Sequence, residues 1–449
     1  MTETESVSTH NDLPAGFDRK QYRRVLISSF VGSTVEFYDF LLYGTASSLV
    51  FGDVFFPRLD SAMALVVSFA TFAAGYLSRP VGAVVFGRLG DRIGRKSTLV
   101  ITMSIMGGAS TLIGLLPTAA QIGVAAPLVL LTLRLLQGIG VGGEWGGAAL
   151  IALEHAPKHA RGFAASAANM GAPAGGMLGT LAFAAVALLP KSDLMTWGWR
   201  VPFLLSAVLV GLALYVRLRV SESPVFLAAR EQAERAQAEL KSPVLDVLRR
   251  YPGHVAIAAL GSLATFLYAI FMATFGITIA RSSGLSATTV LVCTAAAGFV
   301  HVFAIGFYAR LSDRVGRKQV LLGGCGLSIV FAFPLLMLLD SGSPVLLLAG
   351  CLLGSPIIQG CLLGPIAAYI SERFDTQARY TGASISYQLG SFAGSFTPMV
   401  CALLWAAGRE SFGSTGWPQF GFVGLFLVGV TAVSAVAIAC SRDTRRNAL

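Results

Sequence analysis

The sequence has few charged residues for its length. Charged side chains make up 12% of its 449 residues, whereas hydrophobic side chains make up 55%. A soluble domain carries roughly 25% charged residues, and no soluble fold of this size buries so much apolar surface. The composition therefore excludes an ordinary soluble domain and predicts a polytopic membrane protein.

The sequence also lacks the motifs of nucleotide and metal chemistry. The segment most similar to a phosphate-binding loop, 87–97, has Arg95 where the motif needs lysine, and it lies between apolar runs. No HExxH, nucleophile elbow or zinc-type cysteine spacing is present. We therefore expect no cofactor, no metal and no enzymatic activity, and the absence of a phosphate loop disfavours ATP-driven transport.

A cleavable signal peptide is not predicted, because the first seventeen residues are polar and include Glu3, Glu5 and Asp12. Such a peptide needs a basic start followed at once by a short apolar run. We expect residues 1–24 to form a cytoplasmic tail and the first apolar run to insert the chain.

Twelve apolar stretches are each long enough to cross a bilayer, which takes about 20 residues in a helix. Helices satisfy their own backbone polar groups in lipid, and the alternating ten-residue strands of a barrel are missing. The fold class predicted is therefore an all-α membrane protein with twelve transmembrane helices, called spans one to twelve: 25–51, 62–86, 98–116, 125–154, 162–189, 199–218, 253–280, 286–308, 319–339, 344–371, 380–407 and 419–440.

The positive charges are distributed unequally between the two sets of loops. The set that includes both termini holds 26 of the 33 Lys and Arg residues, and the opposite set holds five. Cytoplasmic loops carry the excess of positive charge. We therefore predict a cell-membrane protein with both termini in the cytoplasm, and the loop distribution argues against nucleic acid as the reason for the net charge of +10.

A charged turn occurs twice at an offset of half the chain. Gly87–Lys96 reads GRLGDRIGRK and Ala309–Lys318 reads ARLSDRVGRK, so that Asp91 and Asp313 lie 222 residues apart. The pair at 137–138 and the pair at 359–360 are both Gln-Gly, at the same offset. Long-period repeats of this kind indicate a transporter built from duplicated units. We predict two pseudo-symmetric six-helix bundles, 25–218 and 253–440, joined by a polar cytoplasmic linker at 219–252 and followed by a cytoplasmic tail at 441–449.

Ionisable residues inside spans are candidates for function, because burying them in a bilayer is costly. Glu36, Asp39 and Tyr43 share one face of span one. Arg134 and Glu144 lie in span four, which runs antiparallel to span one. Arg134 is thus expected at the depth of Asp39, where the two would pair. We interpret Asp39, then Glu36 and Glu144, as proton-coupling candidates.

Spans seven to twelve contain few charges, so their polar residues are the remaining candidates for substrate contact. Tyr268, Gln359, Tyr387 and Gln388 are the ones we assign, together with Arg134 and Tyr43 of the first half. A lone polar residue in a span is more often bonded to another helix, and His301 is interpreted as a neutral packing residue.

Several motifs together resemble those of a known family. GRLGDRIGRKSTL is similar to the signature loop of the major facilitator superfamily, ARLSDRVGRKQVL to its second copy, and RLLQGIGVG to its span-four motif. The segments VEFYDFLLYGTAS, GGEWGGA and WGWRVPF resemble the metabolite:H⁺ symporter family within it. That family includes shikimate, α-ketoglutarate, citrate and proline/betaine permeases.

The resemblance implies the major facilitator fold and roles for the charged turns. It implies that the turn residues latch the cytoplasmic helix ends together, and the gating residues are then Asp91, Arg92, Arg95, Asp313 and Arg317. It further implies that Asp39 and Arg134 form a proton-coupling and substrate-facing pair. An exchanger is not indicated, since Gly176 stands where the antiporter motif needs proline.

The function predicted is proton-coupled import of a small organic acid by alternating access. Arg134 is the one arginine expected near the middle of the cavity, and one guanidinium binds one carboxylate, which favours a shikimate-like monocarboxylate. The alternatives are import of a zwitterion such as proline or betaine, efflux of a drug or metabolite, and a membrane-embedded enzyme or receptor. The expected partners are the organic acid, H⁺ and the lipid bilayer, and the chain is expected to be a monomer.

Overall fold

The structure, a computed structural model, describes residues 19–93, 95–142, 161–218, 244–374, 379–413 and 417–442, and every regular element in these ranges is helical. The helices of the first half are α1 (Arg19–Leu49), α2 (Phe51–Phe55), α3 (Ser61–Leu77), α4 (Arg79–Ile93), α5 (Arg95–Leu115), α6 (Ala119–Ile122), α7 (Ala125–Gly142), α8 (Arg161–Val186), α9 (Lys191–Asp193) and α10 (Arg200–Leu218). A π-helical turn at Leu194–Gly198 joins α9 to α10.

The second half of the described chain repeats this pattern. Its helices are α11 (Val244–Arg250), α12 (Pro252–Ala273), α13 (Phe275–Ser282), α14 (Ala287–Val315), α15 (Arg317–Leu339), α16 (Pro344–Leu352), α17 (Gly360–Ser371), α18 (Arg379–Ser395), α19 (Thr397–Phe412) and α20 (Gly421–Ala439). A π-helical turn at Leu353–Gln359 joins α16 to α17, and a 3₁₀ turn at Trp417–Phe420 precedes α20.

The helical membrane fold predicted from the apolar stretches is confirmed. In the described ranges nine helices are long and apolar enough to span a membrane, and a tenth is the pair Lys191–Gly198 and Arg200–Tyr215, bent by 41°. The two other predicted spans correspond to α5, whose apolar part is only Val100–Leu115, and to α8. Helix α8 has 26 residues and is rich in alanine and glycine.

The observed helices extend into the predicted tail and the predicted linker. Helix α1 begins at Arg19, inside the tail predicted at 1–24. The predicted linker 219–252 is described from residue 244 onward, where α11 forms and is followed directly by α12 at Pro252. The rest of the linker and the tail from residue 443 lie outside the described residues.

Two of the contacts between the halves of the chain follow the internal repeat. Helix α8 of span five packs along α14 of span eight, and α3 of span two packs against α18 and α19 of span eleven. In the internal repeat, span eight is the equivalent of span two, and span eleven is the equivalent of span five. The two contacts are therefore related in the way that the internal repeat predicts.

Glycines bring span four against span two within the first half. A Cβ atom at Gly138 would collide with the carbonyl oxygen of Gly75 and the hydroxyl group of Ser78, and one at Gly142 with the carbonyl of Arg79. Small residues allow this close crossing of backbones in lipid. The glycine spacing in span four thus has a packing role.

Candidate functional site

A cavity of about 110 Å³ lies between the two halves of the protein. Spans one, two and five form one side of its wall, and spans seven, eight, ten and eleven form the other. Much of the wall is apolar, as in Leu41, Phe266 and Met177. A few polar side chains interrupt it, which is typical of sites that orient a small molecule.

Arg79 is the only Asp, Glu, Lys or Arg residue in the described part of this wall. Its guanidinium carbon lies 4.1 Å from the ring centroids of both Phe40 and Tyr76, and the residue is 3% exposed. Its Nε and Nη2 atoms are buried and have no hydrogen-bond partner among the described residues. These two N–H groups form one edge of the guanidinium, the edge that binds a carboxylate through two parallel hydrogen bonds.

Span two continues as one span, Ser61–Phe86, through a one-residue turn at Ser78 just before Arg79. Helix α3 ends at Leu77, and α4 begins at Arg79, immediately before Pro80. Proline is tolerated in the first turn of a helix but not in its interior. The hydroxyl group of Ser78 donates to the carbonyl of Leu135 at 2.8 Å, which fixes this turn against span four.

Arg134 is completely buried and does not form part of the cavity wall. Its guanidinium lies over the rings of Phe40 and Tyr43, 3.9 and 4.2 Å from their centroids. Its Nη1 donates to Gln137 Oε1 at 3.0 Å, and Gln137 Nε2 in turn donates to Ser110 Oγ at 2.6 Å. Cation–π contacts and this hydrogen bond hold the group between spans one, three and four.

Asp39 is also fully buried within the first half, away from the cavity wall. It lies beside the hydroxyl groups of Ser110 and Ser206 and within the electrostatic influence of Arg134. Neither carboxylate oxygen has a hydrogen-bond partner among the described residues, and no ion pair within 4.0 Å joins Asp39 to Arg134. The predicted close pair is therefore a longer-range interaction.

The other two proton-coupling candidates are Glu36, which the structure describes, and Glu144, which it does not. Glu36 is 3% exposed and interacts electrostatically with Tyr76 and Tyr387, both of which belong to the cavity wall. Glu144 lies outside the described residues. Asp39 and Glu36 are the two candidates that the structure describes. Of these two, Glu36 is the one that interacts electrostatically with residues of the cavity wall.

Two of the predicted substrate contacts, Gln359 and Tyr387, lie in the wall. The Tyr387 ring meets that of Phe266 edge to face at a centroid distance of 4.7 Å. The polar atoms of the others bond elsewhere. Tyr43 donates to Thr71 at 2.9 Å, Tyr268 to the carbonyl of Ser328 at 3.0 Å, and Gln388 to the carbonyl of Gly142 at 3.3 Å.

The cavity wall contains two residues that the sequence analysis did not assign as substrate contacts, Arg79 and His301. Arg79 is a charged residue inside a predicted span, which is a signal of function in its own right. His301 was interpreted as a packing residue, yet it lies in the cavity wall. Asn169 of span five was also missed, and its Nδ2 donates across the halves to the carbonyl of Leu363 at 3.1 Å.

The second charged turn connects the two halves. Asp313 accepts hydrogen bonds from the backbone amides of Gly162 and Phe163, at 3.2 and 3.3 Å, in the first turn of α8. It also forms an ion pair with Arg317 at 2.6 Å, and Arg317 pairs with Glu372 at 3.1 Å. This network ties the end of span eight, the start of span nine and the end of span ten to span five.

The first charged turn contains the gating candidates Asp91, Arg92 and Arg95. These residues lie in α4 and at the start of α5, but their side chains are outside the described part of the structure. Their roles remain predictions that rest on the repeat.

A multi-span helical protein whose two halves enclose one cavity has the architecture of a membrane transporter. The model of the Major Facilitator Superfamily matches residues 29–398, and the chain belongs to that superfamily. It is a multi-pass membrane transporter.

Curated relatives match nearly the whole chain. The inner membrane metabolite transport protein YhjE of Escherichia coli (strain K12) is 40% identical over 439 residues, covering 95% of each chain. The shikimate transporter of the same strain is 36% identical over 430 residues, covering 94% of this chain and 95% of its own. The proline/betaine transporter of that strain is 28% identical over 397 residues, covering 86% and 78%.

Solved structures share the fold. The D-xylose-proton symporter superposes with a TM-score of 0.71 at 18% identity, covering 93% of this chain and 96% of its own. The proton:xylose symporter XylE bound to 6-bromo-6-deoxy-D-glucose gives a TM-score of 0.72 at 17% identity, covering 95% and 97%. At these identities the likeness supports the fold alone.

Proposed function

We propose that this protein imports a small organic acid together with H⁺ by alternating access. The observation that carries the proposal is Arg79, a buried cation in the cavity wall whose Nε and Nη2 atoms have no acceptor among the described residues. A carboxylate of the substrate supplies that acceptor. Arg79 thereby takes the place that the sequence analysis gave to Arg134.

Asp39 is the proposed proton carrier, with Glu36 and Glu144 as the other candidates. A buried carboxyl group is costly as an anion, and the hydroxyl groups of Ser110 and Ser206 beside Asp39 offset only part of that cost. Arg134 lies near enough to influence Asp39 electrostatically, and its guanidinium shares the ring of Phe40 with Arg79. We propose that this sequence of contacts links the charge state of the substrate site to that of Asp39.

The proposed stoichiometry decides the driving force. A monoanion that moves with one H⁺ carries no net charge, so the pH gradient alone drives its uptake. A zwitterion that moves with H⁺ carries one charge and gains about 2.3 kcal/mol per 100 mV of membrane potential. Valinomycin-clamped proteoliposomes distinguish the two cases, because only the zwitterion's uptake responds to an imposed potential.

The direct test of the carboxylate site is Arg79→Lys, assayed by uptake of labelled shikimate into proteoliposomes. Lysine keeps the charge but loses the fork of two donors, and charge-assisted hydrogen bonds contribute about 1.5–3 kcal/mol. We expect KM to rise about tenfold or more. The control is Arg409→Lys on α19, at an exposed arginine outside the cavity wall. An unchanged KM in Arg79→Lys would contradict the proposal.

A zwitterion such as betaine is the second candidate, favoured by the aromatic rings of Tyr76 and Tyr387 in the wall, which can hold a quaternary ammonium group. One relative is a proline/betaine transporter. Competition decides between the candidates: unlabelled shikimate should inhibit uptake and betaine should not. The reverse pattern would change the substrate class and leave the transporter assignment intact.

We also propose the domain division and topology inferred from the repeat and the loop charges. The bundles are 25–218 and 253–440, the linker 219–252 and both terminal segments are cytoplasmic, and one chain is the working unit. Single cysteines in a cysteine-free background, placed in the linker and in the loop at 117–124, test the topology. An impermeant thiol reagent should label intact cells only at the loop.

A further inference from the structure

We propose that His301, with Ser355 and Gln359, forms a second subsite that binds an uncharged hydroxyl group of the substrate. The inference rests on the proposed function, because it assumes that Arg79 binds the carboxylate at the other side of the cavity. It assigns to the protein a substrate class: ring monocarboxylates that carry a hydroxyl group away from the carboxylate.

His301 is a buried polar residue without a protein partner for its Nε2 atom. It is 4% exposed, and Nε2 makes no hydrogen bond to any described residue. The residue lies in the cavity wall on α14, together with Thr294 and Gly298. Their spacing of four and three residues places all three on one helix face, the face that borders the cavity.

The π-helical turn of span ten lies beside His301. A Cβ atom at Gly360, the residue after this turn, would be 3.5 Å from the His301 Cδ2 atom. The turn Leu353–Gln359 contributes Ser355 and Gln359 to the same wall. Turns of this kind are frequent at functional sites, because the extra residue redirects side chains.

The second half of the described wall contains no Lys, Arg, Asp or Glu residue. A second carboxylate of the substrate would therefore lack a permanent cation there and would pay a large desolvation cost. An ammonium group would lack an anion. A hydroxyl group is suitable, because it both donates and accepts hydrogen bonds, as imidazole, serine and amide groups require.

The apolar part of the wall indicates the body of the substrate. Phe266 and Tyr387 form an edge-to-face pair in the wall, and Met177 belongs to the wall from span five. These groups favour a flat or ring-shaped hydrocarbon body over an extended polar chain. Such a molecule contacts Arg79 of the first half and His301 of the second at once, so that its binding draws the halves together.

The experiment measures two probes against wild type and three variants. The probes are shikimate and 1-cyclohexene-1-carboxylate, which has the same ring and carboxylate without the hydroxyl groups. Binding of each probe to the full-length protein in detergent is measured by calorimetry for wild type, His301→Leu and His301→Gln. Arg79→Lys is measured with both probes as a reference for the carboxylate site.

We expect wild type to bind shikimate about tenfold more tightly than the hydroxyl-free acid, as one buried hydrogen bond allows. In His301→Leu the two affinities should become equal through loss of shikimate affinity alone. His301→Gln, which keeps a polar group, should restore part of the preference. Recovery in His301→Gln also shows that the loss does not come from misfolding.

Three results would overturn the inference. They are a preference that persists in His301→Leu, an equal loss of both probes in that variant, and a wild-type protein that binds neither ring acid. If Arg79→Lys weakens both probes while His301→Leu has no selective effect, only the second subsite fails. If Arg79→Lys binds both probes normally, the proposed function itself fails.

Discussion

Asp313 Oδ1 accepts a hydrogen bond from the backbone amide of Gly162 at 3.2 Å, across a separation of 151 residues in the sequence. The bond joins the end of span eight in the second half to the first turn of span five in the first half. A carboxylate is favourable at this position, because the first amides of a helix lack internal acceptors and carry partial positive charge. The hydrogen bond thus holds the two halves together at this face.

The first prediction concerns this hydrogen bond between Asp313 and Gly162. Asp313→Asn removes the charge that binds both the first turn of α8 and Arg317, and charge-assisted hydrogen bonds contribute about 1.5–3 kcal/mol. We expect the conformational equilibrium to shift toward opening of this face and the transport rate to fall about tenfold. Substrate affinity should change by less than about threefold, since Asp313 is outside the cavity wall. Counterflow measures the transport rate, and calorimetry measures the substrate affinity.

Gly162→Ala is a second variant for the same contact. A Cβ atom at Gly162 would lie 2.6 Å from Asp313 Oδ1, so alanine must displace the carboxylate without altering any charge. Gly211→Ala, where an added Cβ meets nothing within 4 Å, is the matched control. Loss of substrate binding in both Asp313→Asn and Gly162→Ala would contradict a gating role. Asp91→Asn should behave as Asp313→Asn does if the two turns are equivalent.

Most of the fold could be predicted because its signals are local. Apolar length defines the spans, and the repeated turn identified Asp313 and Arg317, which the structure places in one network. The limits of α5 and α8 agree with the predicted spans three and five to within three residues. Span two was predicted as one run, and it is one span, Ser61–Phe86, with a single turn residue at Ser78.

The site was only partly predictable, because sequence gives the depth of a residue but not the direction in which its helix face points. Arg134 and Asp39 were expected at one depth, and they do interact electrostatically. Packing nevertheless turns Arg134 toward Phe40 and away from the cavity, which Arg79 reaches instead. Similarly, Tyr268 is in a span but donates to the carbonyl of Ser328, a partner that the sequence does not reveal.

The second prediction concerns the crossing of spans two and four. Gly138→Ala places a methyl group against the Gly75 carbonyl oxygen, and overpacking of this kind costs about 1–3 kcal/mol. We expect a lower midpoint of thermal unfolding in detergent and less folded protein after purification. Gly108→Ala is the control, since its Cβ meets nothing within 4 Å. An equal midpoint in the two variants would show that the helices can separate without cost.

The third prediction concerns the aromatic contacts of the two arginines. Phe40→Leu removes the ring that lies about 4 Å from the guanidinium carbons of both Arg79 and Arg134. Cation–π contacts at desolvated sites contribute up to about 2 kcal/mol, so we expect substrate affinity and coupling to fall together. Phe72→Leu affects Arg134 alone, at 4.9 Å, and should spare affinity. A Phe40→Leu variant with normal uptake at every external pH would disprove the link between the sites.

The last prediction concerns proton coupling. Asp39 is fully buried, and its carboxylate lies beside the hydroxyl groups of Ser110 and Ser206. Asp39→Asn mimics the protonated group and cannot release a proton, so the carrier should still exchange substrate across the membrane but should no longer concentrate it. In proteoliposomes with an acidic exterior, wild type should accumulate labelled substrate above the external concentration, and Asp39→Asn should stop at equality. Counterflow exchange in the variant should remain within about threefold of wild type, because Asp39 does not touch the cavity. Glu36→Gln in parallel identifies the carrier: if Asp39→Asn still accumulates substrate and Glu36→Gln does not, the proton site is the carboxylate that interacts with Tyr76 and Tyr387 at the cavity wall.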